Sequence, residues 1–416
     1  MGVILENAIG ILGIIFILFL CWLLSENKRA FPWKMVLIGL SLQVLIALFI
    51  MKVPFGISLM ASLGSAISGF LALASNGAQM LFGNIANPSY ANIFGFQFAF
   101  TVLPVIIFFS SIMSMLYHIG FMQYIVRGMS WFMSKTLKTT GIESLSASAN
   151  IFLGQTEAPL LIRPYLSTAS KSELNTIMVG GFITIAGGVM AGYIQMGVSA
   201  SDLITASLMS APAGLMLSKI VIPSSKSETI LSETTPVLPE TSTIVEAAAN
   251  GAMDGLKLSA GIAAMLIAFV AIIAGINAGI LNIHNALSQY AIWFPHDLKE
   301  LFGVMFTPIG FMIGVPIQDI DKFGALFGTK ISLNEFLAYA DLAEYIKQGN
   351  LMPKTVTMAT FALCGFANFS SIAIQIGGIG ALIPERKKDI AALGLKAMIT
   401  GALGNLLTAT LAGLLL

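Results

Sequence analysis

Apolar runs long enough to cross a lipid bilayer recur along the whole chain, and no other feature restricts its fold as strongly. The first run, Ala8 to Leu24, contains no charged residue. A transmembrane helix needs about 20 predominantly apolar residues, because the hydrocarbon core of a bilayer is roughly 30 Å thick. The pattern predicts an all-α polytopic membrane protein with about eight transmembrane helices. The seven further runs lie at 35–51, 97–117, 173–198, 203–219, 257–283, 355–381 and 390–414.

The composition supports this prediction and excludes other classes of protein. Of the 416 residues, 10 % are charged and 56 % are hydrophobic, and the mean hydropathy is +0.88. A soluble domain has about 25 % charged residues and could not cover so much apolar surface. The net charge of +1 lacks the positive excess that a nucleic acid polymer requires of its partner. Two cysteines exclude a secreted disulfide scaffold.

Basic residues around the first span predict its orientation. Lys28, Arg29 and Lys34 follow the span, whereas the chain before it carries Glu6 and no Lys or Arg. The positive-inside rule keeps such basic residues in the cytoplasm, so the N-terminus is predicted to lie outside. With eight spans, both termini are then periplasmic. The acidic start and the absence of a small-residue cleavage site predict an uncleaved helix and no signal peptide.

Three stretches do not fit simple spans. Residues 57–85 and 119–138 are either rich in Gly, Ser and Met or amphipathic, and they predict interfacial helices lying along the membrane. The polar stretch from Pro223 to Thr243 predicts a cytoplasmic loop.

The chain is predicted to consist of four successive regions. Residues 1–138 hold N-terminal scaffold spans and interfacial helices, and residues 139–222 hold a first hairpin, a broken span and a following span. Residues 223–297 hold a cytoplasmic loop, an interfacial segment and a long scaffold helix, and residues 298–416 hold a second hairpin, a broken span and the last span.

A polar centre interrupts the apolar stretch between Ser144 and Pro164. Neither apolar arm around the sequence Gly154-Gln-Thr-Glu-Ala-Pro159 is long enough to span a bilayer. Gly154 would permit a turn, and Pro159 would be unstrained in the first turn of a returning helix. The pattern predicts a re-entrant hairpin of two half-helices. A span with its own glycine-rich break, around 184–188, follows it.

The second half of the chain repeats this arrangement. An apolar arm from Phe306 leads to a predicted break at Gly328-Thr-Lys330 and then to Glu335, and the next span is interrupted between Cys364 and Ser371. Three predicted spans separate the two hairpins, and an odd number of crossings inverts one copy relative to the other. Inverted repeats with discontinuous helices are typical of secondary transporters, where the paired breaks build the substrate site.

The polar residues in these breaks suggest what they bind. A carboxylate at the bilayer centre costs roughly 2.5–3.5 kcal/mol, so Glu157 and Glu335 must be paired, protonated, wetted or in contact with a ligand. The amides of Gln155, Asn334 and Asn368 present a donor and an acceptor side by side, which suits a planar heterocycle. Carbonyl groups freed at the breaks suit a small hard cation. Structural roles for the two Glu residues and for Asn368, and a core role for Phe366, stay open at this point.

Four motifs resemble the concentrative nucleoside transporters in their short bacterial, eight-span form. They are Gly154-Gln-Thr-Glu-Ala-Pro159, Ser210-Ala-Pro-Ala213, Asn334-Glu-Phe336 and Cys364-Gly-Phe-Ala-Asn-Phe-Ser-Ser371. The resemblance extends over nearly the whole chain. It implies a secondary active symporter that imports uridine-like nucleosides across the bacterial inner membrane, driven by a sodium or proton gradient. It further implies elevator-type alternating access, a homotrimer in the lipid bilayer, and no cofactor besides the coupling ion.

The resemblance also implies roles for individual residues. The base would contact Gln155, Thr156, Glu157 and Val189, and the ribose would contact Glu335, Phe366, Asn368 and Ser371. Sodium would be held, partly through carbonyls, by Asn150, Leu153, Thr184 and Ile185. The chain departs from the family at Gly188, where many members have Ser or Thr. Because a hydroxyl near the ion and the base is absent, the coupling ion (Na⁺ or H⁺) and the purine or pyrimidine preference stay open.

Two other functions compete with this interpretation. A cation-coupled transporter of another polar solute, such as a nucleobase, would use similar amides and carboxylates. An intramembrane hydrolase would use Glu157 and Glu335 as an acid/base pair. The hydrolase would need a nucleophile or a metal-binding cluster, and no His lies inside a predicted span. A primary pump is excluded because the sequence contains no Gly-x-x-x-x-Gly-Lys-Ser/Thr phosphate-binding loop.

Overall fold

The computed structural model describes residues 2–95, 97–224, 241–290 and 292–416, and the regular structure within them is helical throughout. The predicted cytoplasmic loop lies, over residues 225–240, outside the described residues. In chain order the α-helices are α1 (Gly2–Leu23), α2 (Trp33–Lys52), α3 (Pro54–Ala72), α4 (Ala74–Phe82), α5 (Ala91–Phe94), α6 (Phe98–Thr101), α7 (Leu103–His118), α8 (Phe121–Leu137), α9 (Gly141–Ala149), α10 (Arg163–Leu166), α11 (Lys171–Ile183), α12 (Gly187–Gln195), α13 (Ala200–Val221), α14 (Ile244–Ser288), α15 (Leu298–Met312), α16 (Ile320–Ser332), α17 (Glu335–Gln348), α18 (Pro353–Leu363), α19 (Phe369–Leu382) and α20 (Lys387–Leu415).

Several of these helices are long and apolar enough to cross a membrane, as an all-α polytopic protein requires. Six of them coincide with predicted spans, and the predicted first span forms the shorter apolar helix Ala8–Leu23. The stretch Pro54–Ala86, predicted to be interfacial, is also long and apolar enough to cross. Its orientation, and that of α8, stays a prediction. Among the described residues, the stretches long and apolar enough to span are Trp33–Lys52, Pro54–Ala86, Phe98–His118, Lys171–Gln195, Ala200–Val221, Ile244–Ser288 and Pro384–Leu415.

The helices divide into a buried set and a peripheral set. In α11–α12, α13 and α20, between 72 % and 94 % of the most apolar stretch is buried, compared with 11 % in α14. Small residues let the buried helices approach closely, as is usual between helices in membranes. A Cβ atom at Gly404 of α20 would lie 2.2 Å from the Ile183 side chain. The buried set therefore forms the core of the protein and surrounds the interruptions in the broken spans. Helix α14, in contrast, presents an apolar surface to its surroundings.

The chain around Gly154 forms two arms joined by a turn, which is consistent with the predicted re-entrant hairpin, but the return arm differs from the prediction. Helix α9 starts at a capping box between Thr140 and Glu143 and ends at Ala149. The chain returns as a 3₁₀ turn, Ala158–Ile162, followed by the single turn of α10. Pro159 lies in the first turn, as predicted, but Pro164 follows so soon that no continuous α-helical ladder can form. Gly154 has no positive φ, and its role is close approach: a Cβ there would lie 3.2 Å from Ala186 Cβ.

In the second copy, the turn of the hairpin lies between α16 and α17, which is later in the sequence than predicted. Helix α16 also packs closely against α15. Residues 328–330 are inside α16, and the helix ends only at Ser332. Gly328 serves helix packing, because a Cβ there would lie 2.5 Å from Phe302 Cβ. The turn occurs at Leu333-Asn334, where the Asn334 side chain accepts a hydrogen bond from the Leu337 N–H (2.9 Å) and caps α17. The predicted break at 328–330 is therefore wrong by a few residues.

Both predicted broken spans are present, and their breaks contact each other. The first interruption separates α11 from α12, and the second separates α18 from α19. The Phe366 N–H of the second break donates to the Thr184 carbonyl of the first (3.3 Å). Asn405 of α20 donates from one amide to the carbonyl groups of Ile183 (2.7 Å) and Cys364 (2.5 Å). The two halves of the chain thus meet at their unwound segments.

Candidate functional site

A cavity lies between the two copies of the repeat, at the breaks. Its volume is about 140 Å³. Both halves contribute polar side chains to its wall, and α14 contributes an apolar face. The lining residues are Gly154, Gln155, Thr156, Ala186, Val189, Leu258, Ile262, Met265, Asn334, Glu335, Phe336, Phe366, Asn368, Ser370, Ser371 and Ile374.

On the side of the first hairpin, Gln155 joins the two halves. Its amide nitrogen donates to Ser371 Oγ (3.1 Å), and its carbonyl oxygen accepts from Gln375 Nε2 (3.1 Å). Gln375 also donates to the Met178 carbonyl (3.1 Å). The Oε1 atom of Gln375 is buried and has no hydrogen-bond partner among the described residues. These bonds fix the Gln155 amide at the hairpin tip, and Gln375 Oε1 can still accept a hydrogen bond.

On the opposite side, a buried carboxylate faces an amide. Glu335 is 5 % exposed, and its Oε2 accepts from Asn368 Nδ2 (2.7 Å) while Oε1 accepts from the Tyr193 hydroxyl (3.4 Å). Asn368 caps α19, because its Oδ1 accepts from the Ser371 N–H (2.9 Å) and from Ser370 Oγ (2.7 Å). The positive end of the α19 dipole lies at this cap, which favours negative charge nearby. The arrangement can bind vicinal hydroxyl groups.

Seven of the eight predicted substrate residues line this one cavity, and Glu157 does not. The Glu157 Oε2 atom accepts a hydrogen bond from the Gly154 N–H (2.8 Å), so the carboxylate closes the hairpin tip on itself. The side chain lies outside the cavity lining and is exposed. Its contact with a substrate therefore stays a prediction. Val189 and Phe366 supply apolar lining, as expected.

The predicted cation ligands cluster behind the first hairpin tip. Thr184 Oγ1 donates to the Gly180 carbonyl (2.8 Å), and a Cβ at Gly180 would lie 3.1 Å from Asn150 Nδ2. The Asn150 amide donates to the Ser146 carbonyl (3.0 Å), which leaves its buried Oδ1 without a hydrogen-bond partner in the described part of the chain. An unpaired amide oxygen beside a helix C-terminus suits a hard cation. This oxygen chemistry fits the predicted sodium site, and sodium binding itself stays a prediction.

The segments that carry Leu153 and Ile185 are held against each other as well. The Gly187 N–H donates to the Phe152 carbonyl (3.0 Å), which ties the hairpin tip to the break between α11 and α12. Gly188, by contrast, faces away from this cluster: a Cβ there would lie 3.4 Å from Ser110 Oγ of α7. The missing hydroxyl at Gly188 therefore leaves the ligands of the predicted cation site in place.

Sequence reasoning missed three contributors to the site. Gln375 and Tyr193 bond to predicted site residues, and α14 forms an apolar wall from Leu258, Ile262 and Met265. Gln375 could have been found, because a lone amide in an apolar helix is a functional signal in membrane proteins. Tyr193 and the α14 residues are ordinary apolar-helix residues by sequence, and only the packing brings them to the cavity.

Comparison with known families covers most of the chain. Residues 202–413 match the family described as Na⁺ dependent nucleoside transporter C-terminus, and residues 12–85 match its N-terminal counterpart. The intervening residues 99–200 match a family described as nucleoside recognition, or Gate. The three matches follow one another along the sequence, and together they include every predicted site residue.

Individual relatives are similar over their full length or a large part of it. The nucleoside permease NupC of Helicobacter pylori is 39 % identical over 99 % of this chain and 98 % of its own. An uncharacterized transporter of Haemophilus influenzae is 43 % identical over 97 % of both chains. The mouse sodium/nucleoside cotransporter 1 is 38 % identical over 99 % of this chain and 64 % of its own. The structure of CNTnw in an inward-facing substrate-bound state covers 100 % of both chains with a TM-score of 0.92 at 38 % identity.

Proposed function

Because this chain belongs to the family of concentrative nucleoside transporters, we propose that it imports uridine-like nucleosides across the bacterial inner membrane together with sodium ions or protons. Membership makes it a multi-pass membrane protein that carries nucleosides with cation coupling, and not an enzyme. The hydrolase alternative is thereby discarded. The preferred nucleoside, the coupling ion and the transport mechanism are the parts that we propose.

The observation that carries the proposal is the hydrogen-bonded bridge between the two halves at the cavity. Gln155 of the first hairpin bonds to Ser371 and Gln375 of the second broken span, and Glu335 bonds to Asn368. We assign the base edge to Gln155 and Thr156 and the ribose hydroxyls to Glu335, Asn368 and Ser371. A carboxylate that accepts from two hydroxyls forms charge-assisted hydrogen bonds, which are about twice as strong as neutral ones.

Cation binding would order the first hairpin before the nucleoside binds. A cation at Asn150, Leu153, Thr184 and Ile185 would lie directly behind the tip that carries Gln155 and Thr156. The unpaired Asn150 Oδ1 supports this assignment. The Glu157 carboxylate, in turn, would hold the tip closed through the Gly154 N–H and exchange that bond for the base when the nucleoside is bound.

Transport would proceed by an elevator motion within a homotrimer. The buried helices and breaks would move as one unit against a scaffold that includes α14. A site carrying both ligands hides the Glu335 charge, whereas a half-loaded site would cross the bilayer at a desolvation cost of several kcal/mol. In this arrangement both termini lie in the periplasm.

Labelled uridine uptake into proteoliposomes tests the proposal. An inward sodium gradient is compared with an inward proton gradient at matched membrane potential. We expect sodium-driven accumulation, because the ligands near Asn150 are oxygen atoms suited to a hard cation. Asn150→Ala should abolish the sodium dependence, and Asn350→Ala, an exposed amide remote from the cavity, should leave it unchanged.

The other outcomes are equally informative. Proton-driven accumulation would move the coupling to a buried carboxylate and contradict the sodium assignment. Folded protein that accumulates uracil in place of uridine would contradict the ribose assignment and favour a nucleobase transporter. A site built around hydroxyl groups can reject an analogue that lacks them by up to about 10⁴–10⁵-fold.

A further inference from the structure

Lys330 is a buried cation for which the proposed transport mechanism has no role. Its side chain is fully buried within α16, and it does not line the nucleoside cavity. The ammonium group donates to the Ala362 carbonyl (2.8 Å) and to Asn405 Oδ1 (2.7 Å). Burying an ammonium group is expensive unless oxygen atoms surround it. The arrangement therefore needs an explanation beyond packing.

Of the two oxygen atoms that accept from Lys330, one lies at a helix C-terminus and the other is the amide oxygen of Asn405 in α20. Helix α18 ends at Leu363, directly after Ala362, and α11 ends at Ile183. Each C-terminus carries a partial negative charge of about half an electron. Asn405 bonds through its amide to the carbonyls of Ile183 and Cys364 and offers its oxygen to Lys330. The ammonium group thus contacts the negative end of α18 directly and is linked to that of α11 through the Asn405 amide.

The two copies of the repeat treat this position differently. In the first copy, the hairpin residue that lies beside the end of α11 is Asn150. Its buried Oδ1 is an acceptor without a partner in the described chain. In the second copy, the hairpin residue that contacts the end of the first half of its broken span is Lys330, which donates to the Ala362 carbonyl near the end of α18 and carries its own positive charge. An unpaired acceptor such as Asn150 Oδ1 can bind a cation from solution, whereas the Lys330 ammonium group supplies the positive charge itself.

We propose that Lys330 is a built-in cation that fills, in the second copy, the position at which the first copy binds its coupling ion. The chain then takes up one monovalent cation with each nucleoside. This inference rests on the proposed cation site at Asn150, and it assigns Lys330 as a positioning residue that sets the coupling stoichiometry.

The first test measures stoichiometry in the unaltered protein. Proteoliposomes hold a fixed nucleoside gradient while the cation gradient and membrane potential are varied until net uptake reverses. One cation per nucleoside is the expected value, whichever cation drives uptake. A value of two would overturn the proposal, because it would require a second ion that Lys330 is argued to replace.

The second test removes the built-in charge and requires no transport. Purified Lys330→Ser leaves the carbonyl of Ala362 and Asn405 Oδ1 facing a space that a sodium ion and water can fill. We expect sodium chloride, relative to choline chloride, to raise the thermal midpoint of this variant at least twice as much as that of the wild type. Lys330→Met fills the same space without an oxygen atom and should show no gain over the wild type.

Lys322→Ser is the matched control on the same helix, because Lys322 lies near the surface and donates to the Asn350 carbonyl. It should respond to sodium like the wild type. Equal sodium responses of Lys330→Ser and Lys330→Met would overturn the proposal. Should neither variant yield folded protein, the stoichiometry of the wild type decides. If the wild type takes up no nucleoside, the proposed function is refuted, and the sodium test of Lys330→Ser remains valid.

Discussion

At the scale of single residues, the polar groups of the cavity satisfy one another across the repeat. Gln155 bonds to Ser371 and Gln375, and Asn368 bonds to Glu335. A buried polar group that loses its partner costs about 1–3 kcal/mol. The cavity is therefore held in shape by Gln375 together with side chains that we assign to the nucleoside.

Glu335→Gln tests the ribose assignment. The change removes the charge that strengthens the hydrogen bond from Asn368 Nδ2 (2.7 Å). Hydrogen bonds to charged groups contribute about 1.5–3 kcal/mol, so we expect nucleoside uptake to fall at least about tenfold while insertion and assembly persist. Initial uptake rates in proteoliposomes check this. Glu344→Gln, on the exposed side of the same helix, is the control, and near-normal uptake by Glu335→Gln would refute the role.

Gln375→Leu tests a residue that sequence reasoning missed. The substitution keeps the volume and removes the donor to Gln155 Oε1 and to the Met178 carbonyl. The lost hydrogen bonds contribute about 1–2 kcal/mol to holding Gln155 in position at the hairpin tip. We therefore expect KM to rise roughly 5–30-fold, with a smaller change in maximal rate. The measurement is the concentration dependence of uridine uptake. An unchanged KM would show that Gln375 does not position Gln155.

These residues also show how far sequence goes at this scale. Seven of eight predicted substrate residues line one cavity, because motif positions in a repeat fix where polar groups enter the apolar layer. Glu157 could not be oriented from sequence: a carboxylate three residues after a glycine can turn back to the Gly154 N–H as easily as toward a ligand. Gln375 carried a signal, whereas Tyr193 joined the site only through tertiary packing.

At the scale of elements, the breaks depend on how closely backbones approach. A Cβ at Gly365 would lie 2.5 Å from Asn405 Oδ1 and 2.6 Å from the Phe182 carbonyl. Neither contact can move far, because Asn405 is itself bonded to both breaks. Gly377 of α19, in contrast, has open space around its Cβ direction.

Gly365→Ala and Gly377→Ala form a matched pair. Gly365→Ala should lower stability by about 1–3 kcal/mol through overpacking, and it should impair uptake because the breaks are forced apart. Gly377→Ala should be neutral or stabilising by up to about 1 kcal/mol, because alanine is the better helix former. Thermal unfolding of the purified variants measures both. Equal effects of the two substitutions would contradict the close approach of the breaks.

The elements themselves were predictable to different degrees. Both broken spans follow from runs of glycine and polar residues in apolar segments, and the structure contains both. The turn of the second hairpin was placed too early, because Gly328 looks like a break in sequence and is a packing contact against Phe302 in the structure. The return arm of the first hairpin is predicted to be one half-helix, whereas in the structure its two prolines divide it into a 3₁₀ turn and the single turn of α10.

At the scale of the whole molecule, one carboxylate links distant segments on the side predicted to be cytoplasmic. Glu26, in the loop after α1, pairs with Lys171 of α11 (2.8 Å) and Lys396 of α20 (2.9 Å). Its own N–H donates to the Val221 carbonyl at the end of α13 (3.0 Å). The loop thereby joins α1 to three helices of the buried set.

This link predicts a pH dependence of stability. Partial burial acts to raise the pKa of Glu26, but the hydrogen bonds and charges of Lys171 and Lys396 outweigh it and lower the pKa. A lowered folded-state pKa stabilises the fold above the unfolded value of about 4.3, and this contribution is lost as the pH falls below it. Glu26→Gln should therefore cost at most about 1 kcal/mol at pH 7, as exposed pairs do.

The difference between Glu26→Gln and the wild type should shrink as the pH is lowered toward the folded-state pKa. Thermal unfolding at a series of pH values from neutral to acidic measures it. Glu385→Gln, which changes an exposed carboxylate, serves as the control. A difference that stays constant with pH would exclude a contribution from the Glu26 charge.

The hydrogen bond from the Phe366 N–H to the Thr184 carbonyl has a thermodynamic consequence. It joins a segment assigned to the nucleoside to a segment assigned to the cation, so a ligand that fixes one segment reduces the entropy cost of fixing the other. Linkage makes this effect reciprocal: the factor by which the cation tightens nucleoside binding equals the factor by which the nucleoside tightens cation binding. Where the outside cation is abundant, the protein would therefore scavenge scarce nucleosides, and where it is dilute, the same protein would release them.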